Sequence, residues 1–400
     1  MDKNNLYLKE VKLSGYKSIV DVDICFEDGL NIIIGKNAAG KTNFLKFLSE
    51  VLDFSFDNLI NFSSELSFDG NSKLIIKSNR EITEDNSENT KRVSQSEVDT
   101  EVLLDGDIVE IENLHRRGLD DLLKKNNISV ITTFVKHGIP KEYYLINSSF
   151  SFKIDKTGFP SDLISKVLDA NTPYFIKNLL ATFIFSGLGI KDENLNVSKI
   201  KKRIISGFKE VDKIKDLLIR FSPIEDVRFN KNINIFLDDD AEGYTVNNLF
   251  IEFKVQGSWH PFENLSDGTK RLFYIISEIG FPGKLHFSRG GFGFNDDESK
   301  RIILIEEPEL GIHPHQLMQL MEFLKIESQN KQIIVTSHSP IILDVLNENE
   351  LNRIVIAFTR NKKEGTILRH LNNPEINKAK LYLEEDYLSD YWKYSDLEKE

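Results

Sequence analysis

The stretch Asn31-Ile32-Ile33-Ile34-Gly35-Lys36-Asn37-Ala38-Ala39-Gly40-Lys41-Thr42-Asn43 decides how the rest of the chain is read. Three isoleucines make a short apolar strand. Gly-x-x-x-x-Gly-Lys-Thr follows at once, and Phe44, Leu45, Leu48, Val51 and Leu52 then recur at helical spacing. Strand, glycine loop and helix in that order are the setting of a phosphate-binding loop. Gly35 and Gly40 let successive backbone N–H groups turn inward, and the helix starting near Lys41 aims its positive end at the same point. In that frame Lys41 reaches the β and γ phosphates and the Thr42 hydroxyl holds Mg²⁺.

Three later segments bring chemistry to strand ends or helix starts. Leu265-Ser266-Asp267-Gly268-Thr269 opens an apolar helix (Leu272, Phe273, Ile275, Ile276, Ile279); a serine before Asp-Gly is also an ordinary N-cap. Arg301-Ile302-Ile303-Leu304-Ile305 is a buried strand ending in Glu306-Glu307-Pro308-Glu309. Two carboxylates delivered to a strand end beside a phosphate loop suit a cation and a water: Glu306 is the candidate Mg²⁺ ligand, directly or through water, and Glu307 the group that orients and polarises the attacking water. Gln332-Ile333-Ile334-Val335-Thr336-Ser337-His338-Ser339-Pro340 is another buried strand, and it puts His338 just past its end, within reach of a γ-phosphate.

The chain has 400 residues, 40% of them hydrophobic, with a formal net charge of -12 and one cysteine, Cys25. Such an acidic chain is not broadly attracted to polyanions, so nucleic-acid contact requires a local basic patch. One cysteine excludes an internal disulfide framework and fits a reducing cytosol; Cys25 itself lies in an alternating strand and reads as core. The N-terminus carries no apolar signal region, and the longest apolar run, near Leu179–Ile190, is too short to span a bilayer. A cytoplasmic protein with no membrane partner is expected.

In chain order, Leu6–Leu13 and Ile19–Phe26 read as strands joined by Ser14–Ser18, where Tyr16 or Lys17 either flanks a bound nucleotide or lies in a solvated turn. Short strands are expected at Lys73–Lys77 and Glu101–Leu104, a mobile charged loop over Glu81–Ser96, and strands over 128–134 and 142–154. From Ser161 the pattern turns helical, with apolar faces at Leu163, Ile164, Val167 and Leu168 and at Phe175, Leu179, Leu180 and Phe183. Lys199–Arg220 reads as one helix with a basic surplus, either a solvated face or a contact for DNA or a partner. Strands return at Ile224–Phe229, Ile233–Leu237 and Leu249–Val255, and Arg353–Phe358 with Gly365–Leu371 looks like a closing hairpin. No fixed-period repeat or sustained heptad is visible.

Together these blocks resemble the ABC-type ATPase heads of the RecF and SMC group, most nearly the stand-alone ATPases related to the OLD nucleases and found in bacterial anti-phage defence. Ser14-Gly-Tyr-Lys-Ser18 resembles the opening strand turn, Gly35–Thr42 the Walker A loop, and Leu265–Gly268 the signature loop. Ile302–Glu307 resembles Walker B, Glu306–Glu309 with His313-Pro314 the D-loop region, and Thr336–Pro340 the switch histidine. Glu306 stands where many relatives have Asp, and no glutamine fits a Q-loop: Gln95 falls in the charged loop and Gln256 comes late. The resemblance implies an α/β fold: a P-loop head of mixed sheet flanked by helices over 1–60 and 224–375. It also implies an inserted strand-rich and helical lobe over 61–223 and an acidic aromatic tail over 376–400. OLD nucleases continue into a Toprim domain after the switch histidine; only about sixty residues follow Pro340 here, so no nuclease is expected in this chain.

The same resemblance implies ATP and Mg²⁺, with Gly35, Lys36, Asn37, Ala38, Ala39, Gly40, Lys41, Thr42 and Asn43 around the nucleotide. Ser266 and Gly268 would act on the γ-phosphate held by another subunit, Thr42 and Glu306 on the metal, and Lys41, Glu307 and His338 in hydrolysis. Shared sites imply a homodimer or higher even oligomer. Two functions follow: a switch that controls a separate effector, a nuclease or toxin, or a RecF-like mediator of DNA repair that binds DNA through 199–220. The acidic charge and the aromatic tail (Tyr382, Tyr387, Tyr391, Trp392, Tyr394) favour the first; the basic surplus favours the second.

Overall fold

The three isoleucines before the glycine loop lie in strand Leu30–Ile34, which is buried along its whole length. A strand covered on both faces reads as a continuous apolar run, the mark of a parallel sheet. Its neighbours obey the same rule. The sheet runs in the order Ile131–Val135, Arg301–Glu306, Lys331–Ser337, Leu30–Ile34, Ile354–Thr359, Thr366–His370. The first five strands are parallel and the last closes antiparallel on its neighbour. In this register Glu306 stands opposite Thr336, and Ser337 opposite Ile34. The carboxyl ends of the strands therefore share one edge.

The computed structural model describes residues 6–85, 92–95, 97–109, 131–147, 151–156, 160, 163–165, 172–183, 194–208, 211–230, 232–238, 243–281, 284–288, 291–295, 301–361, 363–385, 387–395 and 397. Contacts group the chain into two compact units. The first comprises Met1–His137, Glu298–Glu309 and Met321–Glu400; the second comprises Gly138–Asp297 and Leu310–Leu320.

The first unit pairs the parallel sheet with an antiparallel one, ordered Ile19–Cys25, Tyr7–Tyr16, Phe62–Asp69, Leu74–Arg80, Asp99–Leu104, Asp107–Ile108. Helix Lys41–Leu52 buries Phe44, Leu45, Phe47, Leu48, Val51 and Leu52. Those side chains join Leu8, Val11 and Ile24 of the antiparallel sheet and Ile33, Leu304 and Ile334 of the parallel sheet in one core. Each fully buried side chain of this kind adds about 1.5–3 kcal/mol. A buried polar side chain ties the two sheets. Gln332 accepts from the Leu8 backbone N–H at 2.7 Å and donates to the carbonyls of Leu8 at 2.8 Å and Glu27 at 3.1 Å. Asn31 fixes the turn into the central strand, accepting from Glu27 N–H at 2.9 Å and donating to the Glu27 carbonyl at 2.7 Å.

The second unit carries two three-stranded antiparallel sheets, one of Ser151–Asp155, Gly243–Asn247 and Asn234–Leu237, the other of Asp226–Phe229, Ile251–Val255 and Ser258–Pro261. Helices Tyr174–Phe183, Val197–Phe208, Asp212–Phe221 and Asp267–Gly280 accompany them. Its core holds an aromatic cluster around Tyr143, with Phe175, Phe262, Phe273 and Tyr274 within 6.2 Å between ring centroids. Buried Glu278 accepts from the backbone N–H groups of Tyr174 and Phe175, at 2.9 and 3.0 Å, where they open a helix, and from the Tyr143 hydroxyl at 2.6 Å. A carboxylate there offsets the orphan donors and the positive helix end.

Several local expectations need correction. The strands at 62–104 extend the sheet begun by Tyr7–Tyr16, and Ile131–Val135 is the edge of the parallel sheet. Contacts thus place this half of 61–223 with the first unit, because strand pairing overrides position along the chain. Lys141–Ile146 is a short 3-10 helix, and the described strand here is Ser151–Asp155. The basic segment forms two helices, Val197–Phe208 and Asp212–Phe221, with Val211 buried between them. Within 81–96, strands Ile82–Asp85 and Arg92–Gln95 pair antiparallel where a mobile loop was expected. Cys25 is exposed; alternation sends Val22, Ile24 and Phe26 inward instead. The aromatic tail forms helices Asn373–Glu385 and Leu388–Tyr394, the second packed on Pro340–Val345 with the Ser389 N–H donating to Asp344, and Leu388, Tyr391 and Leu397 are buried. Residues 166–171 and 184–190, part of the expected helical faces and apolar run, lie outside the described residues. No helix among the described residues is long and apolar enough to cross a membrane.

Candidate active site

The glycine loop leaves strand Leu30–Ile34 at a point with no room for a side chain: a Cβ on Gly35 would lie 2.1 Å from the Ala357 carbonyl oxygen. Ala38 and Gly40 both have positive φ, 66° and 89°. A Cβ on Gly40 would meet the Thr366 hydroxyl at 1.8 Å. This left-handed path turns the loop over the start of helix Lys41–Leu52, as an anion cradle requires. Lys36, Asn37 and Ala38 are exposed and Ala39 is buried. Lys41 is buried and donates to the carbonyls of Gly35 at 2.7 Å and Lys36 at 2.9 Å, bracing the loop from within. Asn43 does not face the loop alone. It donates to Ser18 Oγ at 2.8 Å, and Thr366 donates to the same oxygen at 2.8 Å. Ser18 and Thr366 therefore support the loop from the opening hairpin and the closing one. The Ser14–Ser18 segment flagged the hairpin turn, but nothing local marked Thr366.

Glu306 ends its strand beside this loop, 3% exposed. Burial pushes its carboxyl up. A hydrogen bond from the Thr42 hydroxyl, the His137 backbone N–H and the charge of Lys46 outweigh that and hold it below the ordinary carboxylate value. Thr42 and Glu306, two hard oxygen donors side by side, fit Mg²⁺. Among the described residues no three His, Cys, Asp or Glu side chains gather into a metal site. A cation here would take its other ligands from phosphate and water, the usual habit of Mg²⁺.

The neighbouring edge strand contributes His137, a residue the sequence did not flag. Its backbone N–H and its ring Nδ1 each lie 3.4 Å from Glu306 Oε2. Only the pairing of Ile131–Val135 with Arg301–Glu306 reveals this.

Glu307 adopts φ 44°, and its N–H donates to the Thr336 carbonyl at 2.9 Å. That left-handed residue turns the chain at the strand end, a strained conformation of the kind that collects at functional sites. His338 follows the adjacent strand, with Nδ1 3.8 Å from Glu307 Oε1 and 3.1 Å from Glu309 Oε1. Lys41, Thr42, Glu306, Glu307 and His338 thus meet along one sheet edge, where parallel α/β sheets bind ligands.

Ser266 and Gly268 belong to the second unit. Ser266 caps helix Asp267–Gly280, accepting from the Thr269 N–H at 3.2 Å. A Cβ on Gly268 would lie 2.6 Å from the Gly311 carbonyl oxygen, so glycine permits that close approach.

The family described as "AAA domain, putative AbiEii toxin, Type IV TA system" matches residues 30–344. The Septu protein PtuA of Bacillus thuringiensis is 23% identical over 369 residues, 92% of this chain and 80% of its own length. The "Retron Vc95 probable ATPase" of Vibrio cholerae serotype O1 biovar El Tor is 23% identical over 440 aligned positions, 98% of this chain and 83% of its own length. A crystal structure of an Smc head bound to the C-winged helix domain of ScpA shares the fold, with TM-score 0.54 at 15% identity over 92% of this chain and 99% of that one. The chain belongs to the AAA-domain family so described, as an ABC-type ATPase of the RecF and SMC group.

Proposed function

We propose that this protein is a nucleotide-driven switch that binds ATP, pairs with a second copy around it, hydrolyses it and thereby controls a separate effector. The observation that carries the reading is the placing of Thr42 beside Glu306, whose carboxyl it helps hold below the ordinary value, where the phosphate loop meets the acidic strand end. Lys41 and the N–H groups of the loop from Lys36 to Thr42 bind the phosphates. Thr42 and Glu306 hold Mg²⁺, which when bound screens phosphate charge and polarises the bond to be broken. Glu307 accepts a proton from the attacking water, and His338 hydrogen-bonds the γ-phosphate.

Ser266 and the helix that starts at Asp267 act on the nucleotide of a second copy, so that each site is completed by its partner. The nucleotide state then sets the pairing, and the pairing sets the state of the effector. Similarity to the Septu protein PtuA and to the retron Vc95 ATPase supports a role in anti-phage defence, with a nuclease or toxin as the effector. Mass measurement of the native complex tests this: with ATP and Mg²⁺ the protein forms an even-numbered assembly, and ADP dissolves it. A mass unchanged between the two conditions would overturn the pairing.

A further inference from the structure

Ser18 sits in the turn between strands Tyr7–Tyr16 and Ile19–Cys25. Lys17 before it takes φ 52°, a left-handed step that few non-glycine residues make. The Ser18 carbonyl accepts from the Thr366 N–H at 2.7 Å. Its Oγ accepts from Asn43 Nδ2 at 2.8 Å and from the Thr366 hydroxyl, also at 2.8 Å. A hydroxyl oxygen has two lone pairs and one proton. Both lone pairs are taken here, so the proton is the one polar capacity left, and no group among the described residues accepts it. Thr366 is fully buried, while Ser18 is only half-buried, so a ligand can still reach that proton.

We propose that Ser18 binds the nucleotide, donating this proton to the α-phosphate of ATP. This rests on the reading of the loop as an ATP site. A Cβ on Gly40 would lie 2.8 Å from Ser18 Oγ, and Asn43 holds the same oxygen. The hydroxyl therefore stands where the glycine loop becomes helix Lys41–Leu52. The first N–H groups of a helix have no partner within it, and its positive end draws an anion to the same place. Lys41 serves the β and γ phosphates, and Thr42 serves the cation that bridges them. Asn43 comes next along the helix, which leaves the α-phosphate as the acceptor beside Ser18. A phosphate oxygen is charged and accepts only, so an O–H aimed at it makes a strong bond. Asn43 from the loop helix and Thr366 from the closing hairpin fix where the proton points, because each occupies one lone pair. The α-phosphate is common to ATP and ADP, so Ser18 grips the nucleotide before and after hydrolysis and does not sense the γ-phosphate.

The test is nucleotide binding to the full chain with Mg²⁺, by competition with a fluorescent ATP analogue. The probes are ATP, ADP and the two diastereomers of ATP with sulfur in place of one non-bridging α-oxygen. Sulfur is a weak acceptor, so only the diastereomer that presents it to Ser18 loses the bond. The wild type should bind that diastereomer about tenfold more weakly than the other, the scale of a hydrogen bond to a charged group. S18A should weaken ATP and ADP alike, by about tenfold or more, and should bind the two diastereomers equally well. If S18A does not fold, S18C, whose thiol is a poor donor, should show the same changes. An ATP affinity in S18A within about twofold of wild type would overturn the proposal. So would a preference between diastereomers that survives in S18A, or none in the wild type, because a side chain that only braces the loop has no bond to the α-oxygen. A wild-type chain that binds neither ATP nor ADP overturns the nucleotide reading itself, whereas the other failures remove Ser18 alone.

Discussion

The Thr42 side chain helps hold the Glu306 carboxyl below its ordinary value, which sets the first turn of the loop helix beside the end of the acidic strand. Two segments far apart in sequence thereby present one pair of hard oxygen ligands. Thr42→Val keeps the shape and removes the oxygen. It should weaken Mg²⁺-dependent ATP binding by about 10–100-fold, the range for losing a group that ligates or orients a metal ligand. Nucleotide binding without metal should change far less. Titration of a fluorescent ATP analogue with and without Mg²⁺ checks both.

Lys41 and Glu307 should separate binding from chemistry. Lys41→Ala removes the buried cation that braces the loop and should abolish ATP binding. Glu307→Gln should leave binding intact and slow hydrolysis by about 10²–10⁴-fold, the usual contribution of a positioned base. It should accumulate the ATP-bound pair, read as a doubled native mass. Wild-type turnover in Glu307→Gln would remove Glu307 from the base role.

Gln332→Leu should loosen the first unit. The substitution takes the Gln332 side chain from the Leu8 N–H and the Leu8 carbonyl, while the Glu27 carbonyl keeps its bond from Asn31. Each stranded buried group costs about 1–3 kcal/mol, so a loss of several kcal/mol is expected. The denaturation midpoint should drop, and hydrogen exchange at the Leu8 amide should quicken with it.

The Arg369–Glu375 pair should show in the acid limb of stability. Burial raises the Glu375 carboxyl, but Arg369 and the Asn372 backbone N–H lower it further, so it sits below its ordinary value. Arg369 grips it with two bonds of 2.8 Å. A carboxyl depressed on folding stabilises above its unfolded value, near 4.3, and loses that contribution as pH falls through its folded value. Glu375→Gln should therefore cost about 1–3 kcal/mol at pH 7, the scale of hydrogen bonds to a charged group. The gap to wild type should close below about pH 4, in urea unfolding followed across pH.

Much of the site was legible because its parts are local. Gly35 to Thr42 carries its own geometry: two glycines where the backbone meets Ala357 and Thr366, then a helix whose apolar period is written in Phe44, Leu45 and Leu48. Buried strands announce themselves as apolar runs, so Glu306 and His338 could be placed at strand ends from Ile302–Ile305 and Ile333–Val335 alone. Where contacts join distant segments, the pattern fell silent. Lys199–Arg220 keeps a helical surplus of charge across the break at Val211, because charge periodicity does not register where a chain turns. Cys25 looked like core because a strand's period names two faces without naming which one is covered.

The sequence by itself determined that the chain builds a phosphate loop, two acids and a histidine at the ends of buried strands, because backbone conformation and hydrophobic period are local properties. Only the tertiary structure decided which strand ends are neighbours. Parallel pairing brings His137 to Glu306, and the turn after Glu307 brings Glu309 to His338. Strand order in a sheet depends on which surfaces bury one another, and no window of residues contains that information.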